Sequence, residues 1–335
     1  MQVSLRSLHG HSSAVNAVRF TADGKYCCTC SDDKTVKLWN PHADDPSSSS
    51  STSSGPSDSP QGLLIKSYSG SHSHGILDIA ISHDNTQFVS AGKDRAVYLH
   101  DVGSGNVIRR IQAHEQRTNA VLLNSDSNVL MTASYDQSVR LWDLRSQSRT
   151  PVQILSDFKD SATSLALTGD SSIVVGCVDG VLRTYDVRKG VLESDMLNDP
   201  IVCVRLTNDS KAVLSMCLTS EPPNAIDGNA GINNNLHLTE IETGQYLKSY
   251  EGGINSSYKS ECCACSDDNH ISSGSEDGFI SFWNIVSGKL IKRIRHGTPI
   301  NQKAAAISSV SHHPTESLLL SSAYDGTVRL WSSKI

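Results

Sequence analysis

Aspartate, histidine and a hydroxyl residue stand together twice at identical spacing: His11, Thr29 and Asp33, then His114, Thr132 and Asp136. These are the parts of a nucleophilic triad, in which a hydroxyl attacks, an imidazole takes its proton and a carboxylate orients the ring. A triad is needed once per site. Here the aspartate returns at Asp94, Asp179, Asp277 and Asp325, with Asn233 in the matching place of a further copy. Repetition favours a structural role over a catalytic one.

Two C-x-x-C pairs, Cys27–Cys30 and Cys262–Cys265, have the spacing of zinc ligands. Both fall in segments that alternate apolar and polar residues. On a strand, residues three apart face opposite ways, so neither pair can chelate one ion, and small buried hydrophobes are the expected role. His72/His74 and His312-His313 read as loop residues. No phosphate-binding glycine loop, H-E-x-x-H helix or G-x-S-x-G elbow is present. No catalytic residue, metal or cofactor is expected.

The net charge is −6, and no run of Lys and Arg exceeds two. A generic nucleic-acid binder carries a basic stripe that neutralises phosphates, so direct sequence-specific nucleic-acid binding is not expected. No apolar stretch approaches the ~18 residues of a membrane span, and no membrane association is expected. The N-terminus lacks the apolar core of a secretory signal. With nine cysteines, that implies reduced thiols in the cytoplasm and nucleus.

What positions the aspartates is a repeat. One phrase recurs as SDDKTVKLWN, GKDRAVYLHD, SYDQSVRLWD, CVDGVLRTYD, SEDGFISFWN and AYDGTVRLWS, with INNNLHLTE as a worn copy. Trp39, His100, Trp142, Tyr185, Thr239, Trp283 and Trp331 are its equivalent aromatic positions. They recur 42 to 48 residues apart, except for two longer steps of 61 and 54. Before each copy lies an alternating segment broken by Asp-Gly, Asp-Ser or Asp-Asn turns, the pattern of antiparallel strands with tight turns. Four strands per repeat are predicted. In the first copy they run 14–20, 25–30, 35–40 and 63–68, counted from the innermost.

This period matches WD-repeat blades. The fold class expected is therefore all-β: a seven-bladed WD-repeat β-propeller in one domain, residues 1–335. The last copy lacks a fourth strand, and residues 2–8 supply one, closing the ring and removing exposed sheet edges. Residues 44–60 are a Ser-rich insertion in blade one that composition marks as disordered, a spacer with Ser59-Pro60 as a candidate phosphorylation site. Residues 219–234 are a loop insertion in blade five, on the face where partners are expected, placed to modulate partner choice.

Resemblance to WD-repeat propellers implies roles for the repeated groups. The aspartate accepts a hydrogen bond from the histidine, which reaches a strand hydroxyl, which reaches the Trp indole. Two blades carry the full set: His11, Thr29, Asp33 and Trp39, then His114, Thr132, Asp136 and Trp142, with Ser31 and Ser134 on the same strand face as the alternative hydroxyls. Partners of such discs grip the top face beside the loops between blades and the turns between second and third strands. Register puts Asp32, Lys93, Arg117, Asn119, Tyr135, Tyr258, Glu276 and Tyr324 there. Arg117, Tyr135 and Tyr324 are the strongest of these, because Tyr and Arg dominate interface hot spots.

The stretches AVRFTADGKYCCTCSDDKTVKLWNP, SYKSECCACSDDNHISSGSEDGFISFWNIVSGKL and SHHPTESLLL resemble the mitogen-activated protein kinase organiser family, most distinctively over residues 258–266. That resemblance implies a non-enzymatic scaffold, monomeric within larger complexes, whose partners are splicing factors or kinase-cascade components. Splicing ranks first, since it does not require a particular signalling cascade to exist. The alternative is an adaptor that presents substrates to a ubiquitin ligase. A propeller enzyme would need titratable groups converging on the central channel, and the sequence suggests no such set.

Overall fold

The computed structural model describes residues 4–45, 60–169, 171–218, 234–266, 269–297 and 305–332. Their strands form seven four-stranded antiparallel sheets, the seven-bladed β-propeller expected. Blade one is β2 (Val15–Phe20), β3 (Cys27–Ser31), β4 (Val36–Asp44) and β5 (Gly62–Tyr68), ordered from the axis outward. No helix among the described residues is long and apolar enough to cross a membrane.

The repeated aspartate makes the turn between second and third strands. The residue after it takes the left-handed conformation six times: Lys34, Arg95, Gln137, Gly180, Gly278 and Gly326. The carboxylate holds that turn by accepting the backbone N–H two residues on, at 3.0 Å for Thr35 and 3.1 Å for Val181. Asp favours such turns because its short side chain can do this.

Burial follows the blade interfaces instead of one centre. Seven hydrophobic clusters each join two neighbouring blades. Cys27 packs with Leu320 and Val328 toward blade seven, while Cys28 and Cys30 pack with Ile76 and Phe88 toward blade two. Cys262 and Cys263 divide between interfaces in the same way.

Closure differs in extent from the expectation. Of residues 2–8, only Arg6–Leu8 form the strand β1, with residues 1–3 outside the described set. Arg6, Ser7 and Leu8 pair with Leu330, Arg329 and Val328 of β28 (Val328–Ser332). The stem of the blade-one insertion grips the other side: Ser7 N–H donates to Pro60 O at 3.0 Å, and Arg6 pairs with Asp44 at 3.0 Å. A Cβ on Gly62 would stand 2.3 Å from Leu8 Cδ2, so any side chain there would have to displace Leu8 of the closing strand. The insertion thus starts later than residue 44, because Asp44 belongs to β4 and pairs with Gly62. Residues 46–59, including the candidate Ser59 site, lie outside the described residues. In blade five so do residues 219–233, whereas Asn234 begins the next strand, Asn234–Glu240.

Candidate functional site: the mouth of the central channel

The innermost strands around the axis are β2, β6 (Ile76–Ile81), β10 (Thr118–Leu123), β14 (Ala162–Thr168), β18 (Ile201–Leu206), β22 (Cys262–Ala264) and β26 (Ile307–His312). Six of them break register at one matching place, which singles out Asn16, Leu77, Asn119, Thr163, Val202 and Ser308. A bulge re-aims the side chain of its extra residue, and the first five of these six line a cavity of about 350 Å³ at the top of the channel.

The polar members also stitch the ring. Asn16 Nδ2 donates to Ile76 O at 2.7 Å, Asn119 Nδ2 to Ala162 O at 2.8 Å, and Thr163 Oγ1 to Ile201 O at 2.7 Å. Ser260 Oγ donates to Ile307 O at 2.7 Å, and Ser308 Oγ donates to Val15 O. Each bond reaches the inner strand of the following blade. The mouth is preorganised.

Below it the channel carries what the sequence did not suggest: titratable groups converging on the axis. Glu261 accepts from Arg19 at 2.6 and 2.8 Å and from Arg205 at 3.0 Å, and Arg19 also donates to Asp78 at 2.9 Å. Ser309 Oγ donates to Glu261, and the Val121 N–H to Asp78 at 3.1 Å. Burial pushes the Glu261 carboxyl up, but Arg19 and Arg205 override it and hold it well below the usual range. The groups neutralise one another across the axis. They form an ion-paired plug that ties four blades together.

The blade networks are equally saturated. His11 Nδ1 lies 2.8 Å from Asp33, its Nε2 lies 2.7 Å from Thr29 Oγ1, and Trp39 Nε1 donates to that oxygen at 2.9 Å. Blade three repeats this with His114–Asp136 at 2.9 Å, His114–Thr132 at 2.8 Å and Trp142–Thr132 at 3.1 Å. Burial lowers the His11 pKa against the opposing pull of Asp33. With the ring neutral, the run is indole to hydroxyl to imidazole to carboxylate. The Thr29 hydroxyl is fully buried and committed on both sides, so it cannot act as a nucleophile.

Blade two uses His72, Ser90 and Asp94, with His100 stacked on Phe88 at 4.6 Å in place of the indole. Blade seven adds a set that the sequence reading missed. His296 lies 2.8 Å from Ser321 and 2.9 Å from Thr327, and Trp331 Nε1 donates to Ser321 at 2.7 Å. In blade six Trp283 Nε1 donates instead to Glu251 O at 2.7 Å.

Of the eight top-face residues, Arg117, Asn119, Tyr258 and Tyr324 line the 350 Å³ cavity. The Arg117 guanidinium lies 4.5 Å from the centre of the Tyr135 ring, placing Tyr135 beside it. The Tyr258 and Tyr324 rings stand 5.1 Å apart, and Tyr324 Oη donates to Lys259 O at 2.9 Å. Asp32, Lys93 and Glu276 are not among the lining residues. Lys93 Nζ and Asn16 Nδ2 both donate to Asp32, at 2.8 and 3.0 Å. Glu276 accepts the backbone N–H groups of Ser256, Ser257 and Tyr258, at 2.6, 2.5 and 2.8 Å, and so holds their loop. The Glu276 carboxylate thus orders the loop that carries Tyr258.

Lys259 also lines the cavity and was not among the expected top-face residues. It reaches across the mouth from blade six, its Nζ 3.3 Å from Asn119 O and 3.5 Å from Thr163 O. It stands beside Tyr258 inside the stretch that carried the family resemblance, but it was not singled out.

Comparison with known proteins agrees with this geometry. The family described as "WD domain, G-beta repeat" matches residues 2–40, 62–101, 105–143, 244–284 and 293–332. The gap spans blade four and most of blade five, where the Asp–His–Trp pattern has worn away. The chain is 32% identical to the WD repeat domain-containing protein 83 homolog of Dictyostelium discoideum, over 97% of this chain and 96% of that protein. It is 39% identical to WD repeat domain-containing protein 83 of Xenopus tropicalis, over 97% and 90% of the two chains. Against the Homo sapiens protein of the same name the identity is 37%, over 98% and 92%.

Proposed function

We propose that this chain, which belongs to the WD-repeat family, is a non-enzymatic scaffold that holds partner proteins at the mouth of its channel. The WD40 propeller is typically an interaction fold, and no catalytic family matches. One observation carries the reading. On a rigid ring, the mouth presents Arg117, Lys259, Tyr258 and Tyr324 around an open cavity. Aromatic and arginine side chains on a rigid support are the composition of interface hot spots.

The finer assignment is a component of pre-mRNA splicing complexes, ranked ahead of an organiser of a mitogen-activated protein kinase cascade. Its support is the resemblance over residues 258–266, a stretch that contributes Tyr258 and Lys259 to the mouth and Glu261 to the plug. The protein works as one copy inside larger assemblies, in nucleus and cytoplasm.

Affinity purification of the wild type beside an Arg117→Ala/Tyr135→Ala/Tyr324→Ala variant tests both levels. The expected result is recovery of splicing proteins by the wild type and their loss from the variant. Kinases without splicing proteins would reverse the ranking, and ubiquitin-ligase components alone would replace it. Unchanged recovery by the variant would remove the mouth as the docking site.

A further inference from the structure

We infer that the mouth accepts a carboxylate side chain, Asp or Glu, carried with a neighbouring apolar residue on an exposed segment of a partner protein. The inference deepens the docking reading and rests on it. Charge is the first argument. Among the described residues, the cavity is lined by two cations, Arg117 and Lys259, and by no carboxylate. Two carboxylates on the same face are engaged within the protein: Asp32 by Lys93 and Asn16, Glu276 by three backbone N–H groups.

The donors are also incompletely used. An ammonium has three N–H donors, and Lys259 spends two on long contacts to Asn119 O and Thr163 O. A third is left for a guest. The Arg117 guanidinium lies over the Tyr135 ring, a contact that uses none of its N–H donors on a carboxylate. A carboxylate between the two would gain charge-assisted hydrogen bonds in a partly dry site.

Shape and the groups beneath narrow the guest further. A cavity of about 350 Å³ is at the small end of ligand-sized clefts, matching a side chain or two. Its remaining wall includes Leu77, Val178, Val202 and Leu218, so an apolar neighbour of the acid has a surface to bury. Beneath lies Glu261, with a charge held by Arg19 and Arg205 and within electrostatic reach of Lys259. The one remaining Lys259 donor and the Arg117 edge match the two oxygens of a carboxylate and leave a phosphate's third oxygen unmatched. A carboxylate is therefore favoured over a phosphate.

The test uses the full chain and three acetylated, amidated peptides: Ser-Leu-Glu-Leu-Ser, the same with Gln, and the same with phosphoserine at the centre. Methyl NMR follows Leu77, Val178, Val202 and Leu218. The Glu peptide is expected to shift these methyls saturably and to bind at least tenfold more tightly than the Gln peptide. Lys259→Met should erase that preference with thermal unfolding unchanged, and Lys259→Arg should retain it. Absence of a saturable shift, equal binding of Glu and Gln, or tenfold tighter binding of the phosphoserine peptide would overturn the inference. The two levels separate in purification. If the Arg117/Tyr135/Tyr324 variant loses partners but Lys259→Met keeps them, docking stands and the carboxylate falls. If both keep them, both readings fall.

Discussion

The channel holds charge at two depths, and the two sets behave oppositely. Midway down, Arg19 and Arg205 face Glu261 and Asp78, with every guanidinium matched by a carboxylate. At the mouth, Arg117 meets a tyrosine face and Lys259 meets two carbonyl oxygens. Both sets hold two cations; the pairing differs. A saturated cluster rigidifies the ring and offers nothing to a visitor, whereas under-paired cations on a preorganised rim gain when an acid arrives.

The comparison can be broken first at the plug. Glu261→Gln removes the negative charge that two guanidinium groups share, and breaking a buried pair costs about 3–5 kcal/mol. Chemical denaturation should read that loss, and a cost below about 1 kcal/mol would mean the plug is not held by its charges. The same carboxylate sets an acid limit. Its folded pKa lies below the ordinary value of 4.5, so its contribution is fully present above pH 4.5. It disappears as pH falls through the lower, folded value. The wild type should lose stability over that range faster than Glu261→Gln does.

Next in size are the blade networks, which are saturated like the plug. Thr132→Val strips the partner from both Trp142 Nε1 and His114 Nε2. At about 1–3 kcal/mol for each buried group left unmatched, a loss of about 2–4 kcal/mol is expected in the same assay. At the mouth, Lys259→Met should change stability by less than about 1 kcal/mol, because no carboxylate depends on it as an ion-pair partner. A larger loss would recast Lys259 as structural.

The smallest effect belongs to blade five. Thr239 occupies the Trp position there, and its buried hydroxyl finds no hydrogen-bond partner among the described residues. Thr239→Val should be neutral or slightly stabilising, within about 0.5 kcal/mol. A cost near that of Thr132→Val would show that the worn blade keeps a network of its own.

What could be read in advance follows from sequence distance. The sets at His11 and His114 were legible because their members sit 18 and 22 residues apart in both copies. His296 was not, since 25 residues separate it from Ser321 and it meets Thr327 where an aspartate was expected. The plug draws on four blades, with Arg19 and Glu261 242 residues apart, and no local pattern pairs such groups. A signal existed nonetheless: Asp78 and Arg205 stand out as charges within the apolar inner strands ILDIAI and IVCVRL. The bulges were hidden because simple alternation assigns every residue a face, whereas one extra residue turns Asn16 and Asn119 toward the mouth.

The central claim is that partners are held where the ring leaves its cations under-paired. Hydrogen exchange of the protein, alone and in complex with a co-purified partner, tests it most directly. Protection is predicted at residues 117–119, 257–260 and 324, with none in the bottom turns at residues 83–86, 124–128 and 208–211. Protection confined to those bottom turns or to the outer strands, with the mouth exchanging as in the free protein, would contradict it.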